Sequence, residues 1–450
     1  MDEQTKDAAI RLRTAWTELL DRLSDARDAI DQPKLYPVPA DERNLAEGYR
    51  YLLGFLYGAI DRALADPLHP AIRRAIQPQD KATIDNSDAV YLCAEIDGAL
   101  TYRVTGRALD SRHWRGEAAV PGSRAPQYII FELASGYAGD SGSIAELKPG
   151  SRINTSTLAS NELQIEDDGS FEILLAPERP AGYTGNFMAS VRTSHDVEFV
   201  GRYLNIRELF HDWKHEQPLD LDIERLGEEA DPPPALTPDL AARQMQRIGD
   251  IVNNQMRFWN EFYAVVLETY EDMNGDGKRF MPRNNLNPPN ALGIATGGGQ
   301  STNVYSGGVY ELAPDEALLV DLELQVSPLY LGFQLSNLWG ESLDFANFQS
   351  SLNGFQAERD ADGHYRWVVA HSDPGVRNWL DTTGLKVGFM ALRFTYAEPP
   401  DRMPALTVSK IGLQDVRGHV PSGVRVVNED ERREQIRIRQ RHVQRRYRQY

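Results

Sequence analysis

The sequence predicts a mainly β protein with helical additions, built as two antiparallel β-sandwich or jelly-roll-like domains joined by a long helix. Three observations carry this. Asp-Gly pairs sit between strand-like runs at Asp97-Gly98, Asp168-Gly169 and Asp362-Gly363, and such a pair supplies the positive φ that a tight hairpin turn needs. Further runs rich in β-branched and aromatic residues cover 128–133, 197–204, 318–324, 330–335 and 387–396. Helical patterns stand at the ends and middle of the chain and do not alternate with the strands, which argues against a doubly wound α/β fold.

In chain order, residues 1–80 read as a helical region. Ile10, Trp16, Leu19, Leu20, Leu23 and Ile30 recur at helical spacing. After a Pro-containing break, Asp41 can cap a second helix with the stripe Leu45, Tyr49, Leu52, Leu56, Ile60 and Leu64. Gly54 and Gly58 on that helix permit close approach of a neighbour. Residues 81–216 form the first β domain, with strands over 89–96 and 100–104, and over 163–166 and 171–175 around Asp168-Gly169. Acidic residues and Pro232-Pro233-Pro234 make 217–236 a linker. A long helix over 237–272 follows, capped by Thr237 with Pro238 at its first position. Its face Ile248, Ile251, Val252, Phe258, Trp259, Phe262, Val265 and Val266 must pack on a sheet or clamp the two β regions together. The second β domain spans 290–415, with strands over 365–369 and from Tyr305 to Leu312. Residues 431–450 form a basic helical tail carrying eight arginines against two glutamates.

Composition narrows the function. The 450 residues are 41% hydrophobic and 25% charged, with a formal net charge of -18. That charge argues against nucleic-acid binding by the body, because phosphate contacts need clustered cations. No apolar run is long enough to span a bilayer, and the charged start shows no secretory leader, so a cytoplasmic location is expected. The single cysteine, Cys93, lies in an apolar strand and supports neither a disulfide nor nucleophilic catalysis. The seam Ile436, Val443, Tyr447 and Tyr450 suits an arm that docks on the acidic body or on a neighbouring subunit, and a homo-oligomer held by this tail is expected.

Four constellations are candidates for chemistry. His211 and His215 stand four apart, the helical spacing of a zinc site, but Asp212 replaces the usual glutamate and Pro218 stops the helix, so the metal reading is weak. Asp272, Asn274, Asp276 and Gly277 match the opening of a calcium loop, whose twelfth position is Arg283 instead of Glu; a turn is the better reading. Residues 293–301 are glycine-rich without a phosphate-loop lysine and read as a loop beside a pocket. The densest run places His371, Asp373, Asn378, Trp379 and Asp381 on one β-to-β connection ahead of Arg393. His371 is the expected general acid or base, oriented by Asp373 or Asp381, with Arg393 for an anionic group. Asn378, Trp379, Trp339 and Tyr305 are the expected substrate contacts.

Several segments resemble a known family. Asn337-Leu338-Trp339-Gly340-Glu341-Ser342-Leu343, Ser351-Leu352-Asn353, Asp362-Gly363 and the run 373–384 are similar to proteins with the domain-of-unknown-function 1214. Ile84-Asp85-Asn86-Ser87-Asp88-Ala89, continuing to Gly106, resembles the upstream part of such proteins. The resemblance implies β-sandwich or jelly-roll-like domains and no established reaction, so no catalytic residue is carried over from it. The expected function is a cofactor-independent hydrolase or lyase acting on a carbohydrate or small hydrophobic molecule. The alternatives are a non-catalytic ligand-binding or assembly protein with an Arg-rich oligomerisation arm, and a metal-dependent hydrolase.

Overall fold

The computed structural model describes residues 2–31, 41–118, 121–148, 150–227, 232–233, 235–265, 281–291 and 302–448. Two helices, α1 (Glu3–Asp31) and α2 (Glu42–Ala63), lead into a first β unit. Its strands are β1 (Arg73–Ala75), β2 (Ala89–Glu95), β3 (Tyr102–Arg107), β4 (Tyr128–Ala134), β5 (Asn154–Ala159), β6 (Ser170–Ala176), β7 (Asn186–Ala189), β8 (Val191–Ser194), β9 (Val197–Val200), β10 (Tyr203–Leu209) and β11 (Asp220–Arg225). Helix α3 (Pro238–Ala264) precedes a second unit of β12 (Asn303–Glu311), β13 (Glu316–Glu323), β14 (Tyr330–Ser336), β15 (Ser351–Asn353), β16 (Tyr365–Ala370), β17 (Trp379–Asp381), β18 (Val387–Thr395) and β19 (Ala405–Gly412). A single turn, α4 (Val416–His419), and the closing helix α5 (Glu429–Arg448) complete the chain.

The two units repeat one topology. In the first, a sheet ordered β1-β2-β10-β4-β5 shares a hydrophobic core with a sheet ordered β11-β3-β6-β7. In the second, β12-β18-β14-β15 shares a core with β17-β16-β13-β19. Strand for strand the orders correspond, apart from the added β1 and the separate β8-β9 ribbon. The pairings correspond too, down to one parallel pair per unit, β6 with β7 and β16 with β17. A reciprocal asparagine bridge marks the equivalence. Asn186 accepts from the Gln164 amide at 2.8 Å and donates to its carbonyl at 2.9 Å, while Asn378 does the same with Glu358 at 2.8 and 2.7 Å.

The outer faces of the two equivalent sheets meet, as Ala89, Tyr128, Ile130, Ala159 and Leu209 cluster with Tyr330. This is why every residue of β4 and of β14 is buried. The segment before β2 clasps the units together. Asp85 accepts from the Ser342 amide and hydroxyl, each at 2.7 Å. Asp88 accepts from Trp213 Nε1 at 2.9 Å, Asn353 Nδ2 at 2.8 Å and the Tyr330 hydroxyl at 2.7 Å.

The helices form one layer over both units. Thr237 caps α3, accepting from the Leu240 amide, and Asp41 caps α2 in the same way through Asn44. From α3, Val252, Met256, Phe258 and Tyr263 pack with α1, α2 and the second unit's Val309 and Phe389. Towards the first unit, Arg247 pairs with Glu95 at 2.6 Å and Gln255 donates to the Ala138 carbonyl at 2.9 Å. The helix thus clamps the two β units; residues beyond 265 of its expected span lie outside the described residues.

Several expectations are corrected. Asp97-Gly98 is not a hairpin: β2 and β3 belong to different sheets, so this connection carries the chain from one to the other. Gly98 serves close approach, since a Cβ there would lie 2.5 Å from the Gly201 carbonyl. Gly169 and Gly363 do turn at φ +86 and +88, although 163–166 is not a strand. The helical region ends in β1, paired with β2, and the expected linker begins with β11, paired with β3. On α2 the buried side is Asn44, Gly48, Tyr51, Gly54, Ala59 and Ala63, and not the large apolar stripe. Gly48 is the reason, because a Cβ there would sit 2.5 Å from the Trp339 ring.

The tail is a helix, but it docks on its own chain. Arg432 grips Asp373 through two nitrogens, at 2.9 and 3.1 Å. His442 stacks on Trp213, and Arg446 lies over the rings of Phe210, Trp213 and Phe345 while donating to the Ser87 carbonyl at 2.7 Å. The arm expected to join subunits is occupied within the protomer.

Candidate functional site

The residues expected to carry chemistry are held in four separate places. His371 follows β16, and both its ring nitrogens are used: Nε2 donates to the Leu312 carbonyl at 3.0 Å, leaving Nδ1 to accept from the Thr382 hydroxyl at 2.6 Å. Asp373 is paired with Arg432, and Asp381, its pKa raised by burial, accepts from the Thr383 amide. Asn378 makes the bridge described above. Trp379 donates to the Ala370 carbonyl at 3.1 Å beneath the Arg432 guanidinium. This group closes one end of the second unit against α5, each side chain satisfied by its neighbours.

Arg393 and Tyr305 lie elsewhere, on β18 and β12, where the outer faces of the equivalent sheets meet. With Tyr91, Arg207 and Tyr330 they line a cavity of about 50 Å³, room for a few water molecules and too little for a metabolite. Arg393 donates to the Ile84 carbonyl and so belongs to the clasp.

The histidine pair does not sit on a helix; residues 211–216 form turns. Half-buried His211 stacks on Tyr330, and loss of solvation lowers its pKa to about 4. The Asp212 carboxylate takes His215 at 2.7 Å and Arg124 at 3.0 Å. Among the described residues no group of three or more His, Cys, Asp or Glu side chains is placed to hold a metal ion. Cys93 is buried against the Tyr137 hydroxyl, with its thiol pushed up to about 11 by burial. The acidic loop 272–278 and the glycine-rich run 293–301 lie outside the described residues.

Trp339 leads to a larger site. Its indole rests on Gly48 and donates to the Asn44 carbonyl at 2.9 Å. This contact anchors the connection 337–350 under α2 and leaves a cleft of about 490 Å³ beside it. Arg43, Glu47 and Arg50 from α2, Lys81, Asp344 and the rings of Phe345 and Phe348 are among its lining. The volume is that of sites for metabolite-sized ligands.

The chemistry of the cleft is uneven. Arg43 is tied down, to Glu47 at 2.9 Å and to Thr383 at 2.8 and 3.0 Å. Lys81 is half-buried, donating to the Ser342 carbonyl at 2.9 Å under the Phe345 ring, and loss of solvation lowers its pKa. Arg50, two-thirds exposed, comes no closer than 3.8 Å to Glu341. Glu341 is buried beneath, accepting from Asn337 Nδ2 at 2.7 Å, and burial pushes its carboxyl up to about 7. Glu47 keeps Oε2 buried with no hydrogen bond. The cleft therefore offers a loosely held cation, Arg50, with an unbonded carboxylate oxygen of Glu47 buried behind its wall. Val443 of α5 forms part of the wall, and Gln440 bonds Asn347 at 3.0 Å, so the tail helps to close it.

Only Trp339 of the expected contacts belongs near this cleft. The signal that could have found it was the run 337–343, quoted above for a family resemblance; Arg50, Lys81 and Glu47 stood out in no motif.

No family model matches the chain, and no curated protein matches it. Among solved structures, it is similar to an uncharacterised protein from Burkholderia cenocepacia, at 27% identity and a TM-score of 0.72 over 90% of this chain and 99% of that one. A protein from Vibrio parahaemolyticus aligns at 12% identity with a TM-score of 0.38, over 86% of this chain and 100% of that one. No helix among the described residues is long and apolar enough to cross a membrane.

Proposed function

We propose that this chain is a binding protein for a small hydroxylated organic anion, such as a sugar acid, held in the cleft beneath α2. The observation that carries the reading is Arg50, a guanidinium on a 490 Å³ cleft whose nearest carboxylate among the described residues, Glu341, stands 3.8 Å away. A ligand carboxylate or phosphate would complete it with charge-assisted bonds. Ligand hydroxyls suit the Asp344 carboxylate, and the Phe348 ring at the rim suits the apolar face of a sugar. Each pair of sheets sharing a core is read as a sandwich, a rigid support for the cleft, and the likeness of 337–343 to the domain-of-unknown-function 1214 falls on its wall.

The test is calorimetric titration with gluconate, glucuronate, glucose 6-phosphate and glucose. The acids are expected to bind and glucose not to. Arg50→Ala should weaken binding by about ten- to a hundredfold, the worth of a charge-assisted contact, with an unchanged melting curve. Equal binding of glucose, or an Arg50→Ala protein that binds as well as the parent, refutes the proposal. A second reading, a cofactor-independent lyase or hydrolase in the same cleft, draws on the Glu341 carboxyl, buried behind the lining residues Asn337 and Ser342 and raised by burial to about 7, within the range a general acid or base uses. It requires that a bound acid be converted, seen by NMR, and that Glu341→Gln stop the conversion.

A further inference from the structure

The junction between the two β units uses one pattern twice. In the first unit Arg207 of β10 stands opposite Tyr91 of β2, and Tyr128 of β4 stands opposite Leu209, two residues further along β10. In the second, Arg393 of β18 stands opposite Tyr305 of β12, and Tyr330 of β14 stands opposite Thr395, again two residues further on. These strands hold equivalent places in the two sheets, and their sequences correspond, Val90-Tyr91 with Val304-Tyr305 and Ile206-Arg207 with Leu392-Arg393. All six residues line the cavity of about 50 Å³ at the junction. Two copies of one Tyr-Arg-Tyr trio thus face each other across it. We propose that this cavity binds a planar oxyanion of three or four heavy atoms, such as formate, nitrate or bicarbonate.

The charge of the lining sets the sign of the ligand. Arg207 gives Nη2 to the Glu132 carboxylate at 2.6 Å, a pair that is neutral as a whole. Arg393 gives Nη2 to the Ile84 carbonyl and makes no ion pair among the described residues. The clasp carboxylates lie outside the lining, Asp85 bonded to Ser342 and Asp88 to Trp213, Asn353 and Tyr330. One guanidinium charge is therefore left for a monovalent anion to balance. Donors also outnumber acceptors. Asn86 Oδ1 is taken by the Tyr330 hydroxyl and Asn303 Oδ1 by the Thr395 hydroxyl, each at 3.0 Å. Nη1 of both arginines and the hydroxyls of Tyr128 and Tyr305 have no protein partner among the described residues. Tyr91 accepts from the Asn86 amide at 2.7 Å and keeps its own proton to give. Such a lining suits a ligand that only accepts.

Size and shape narrow the choice. One water needs about 10–15 Å³ of such space, so this cavity holds about four heavy atoms, the number in nitrate or bicarbonate. A flat oxyanion matches the planar donor forks of two guanidiniums, which a spherical ion such as chloride does not. Arg207, Arg393, Tyr91 and Tyr305 are half-buried, so solvent reaches the cavity from their side.

Equilibrium dialysis of the full chain against radiolabelled formate tests this. One formate per chain is expected in this cavity, displaced by nitrate and bicarbonate at constant ionic strength and at least tenfold less well by chloride. Arg393→Lys keeps a charge and a donor for Ile84 but loses the fork, and should weaken binding by about ten- to a hundredfold. Arg207→Lys, which keeps a cation for Glu132, should do the same because the two trios are equivalent. Should either lysine variant lose its far-UV circular dichroism, Tyr305→Phe decides: loss of one hydroxyl should weaken formate by about fivefold with an unchanged melting curve. Arg50→Ala removes the cation of the cleft beneath α2 and should retain this formate, so the two sites fail or stand separately. Absence of bound formate, equal competition by chloride, undiminished binding in folded Arg393→Lys or Tyr305→Phe, or loss of all binding in Arg50→Ala overturns the proposal.

Discussion

Replacing Glu341 by glutamine should change how stability depends on pH. In the folded chain the Glu341 carboxyl is buried and titrates at about 7, against an ordinary 4.5. The sign follows from proton counting. Between these values the folded state holds a proton that the unfolded chain has released, so stability falls as pH rises from 4.5 through 7 and levels off above. At about 1.4 kcal/mol for each tenfold change in proton affinity, the full loss is of order 3 kcal/mol. Glutamine keeps the shape and the acceptor for Asn337 Nδ2 but never ionises. Glu341→Gln should therefore match the parent near pH 5 and exceed it by about 2–3 kcal/mol at pH 8, measured by urea unfolding at the two pH values. Buried Glu216, also raised to about 7, titrates in both proteins and cancels in the difference. An equal change at both pH values would refute the reasoning, for the carboxyl would then be ionised in the fold throughout.

Two further predictions concern the frame. Asn186→Ala and Asn378→Ala each remove a reciprocal bridge and leave partly buried backbone groups unpaired, so each should cost about 1–3 kcal/mol; if the units are equivalent, the two losses agree within about 1 kcal/mol by denaturant titration. In the tail, Arg446 is buried with Nε and Nη1 lacking partners, and a charge in that state is expensive. Arg446→Met should be neutral or stabilising in a thermal melt, whereas removing the chain after Asn428 should lower the melting temperature and shift Trp213 fluorescence to the red as its cover is lost.

What could be read from the sequence was what neighbouring residues decide. The turns at Gly169 and Gly363 were legible because positive φ is a local requirement, and the caps Asp41 and Thr237 because a cap bonds three residues ahead. Asp97-Gly98 misled for the opposite reason. The same dipeptide serves a hairpin or a passage between sheets, and the choice rests on whether β2 finds β3 or β10, more than a hundred residues on. The α2 stripe misled because size was taken for burial. The helix turns its small residues inward, where Gly48 admits the Trp339 ring, and that ring lies almost three hundred residues away. The tail arginines looked like a solvated face, yet Arg439 and Arg446 are buried under aromatic rings. The cleft was invisible for a similar reason: α2, Lys81, 337–350 and Val443 meet only in the fold.

The duplicated topology explains why the cleft lies on the second unit. The connection from β4 to β5 corresponds to that from β14 to β15, and the helical layer holds both. In the first unit α3 fills the space: Gln255 bonds the Ala138 carbonyl, Asn254 the Asp140 carbonyl, and Glu261 the Ile144 amide. In the second, α2 meets the equivalent connection mainly at Trp339 and stands off from the remainder, leaving Arg50 and one oxygen of Glu47 without close partners. The crossing at β16 and β17 has diverged in the same direction. His371, Asp381 and Thr382 stand where the first unit has Pro177, Ala189 and Ser190, and they bond into a closed end of the unit. Polar side chains of the second unit are thus bonded into its closed end at His371 and Asp381, whereas beneath α2 they face the open cleft.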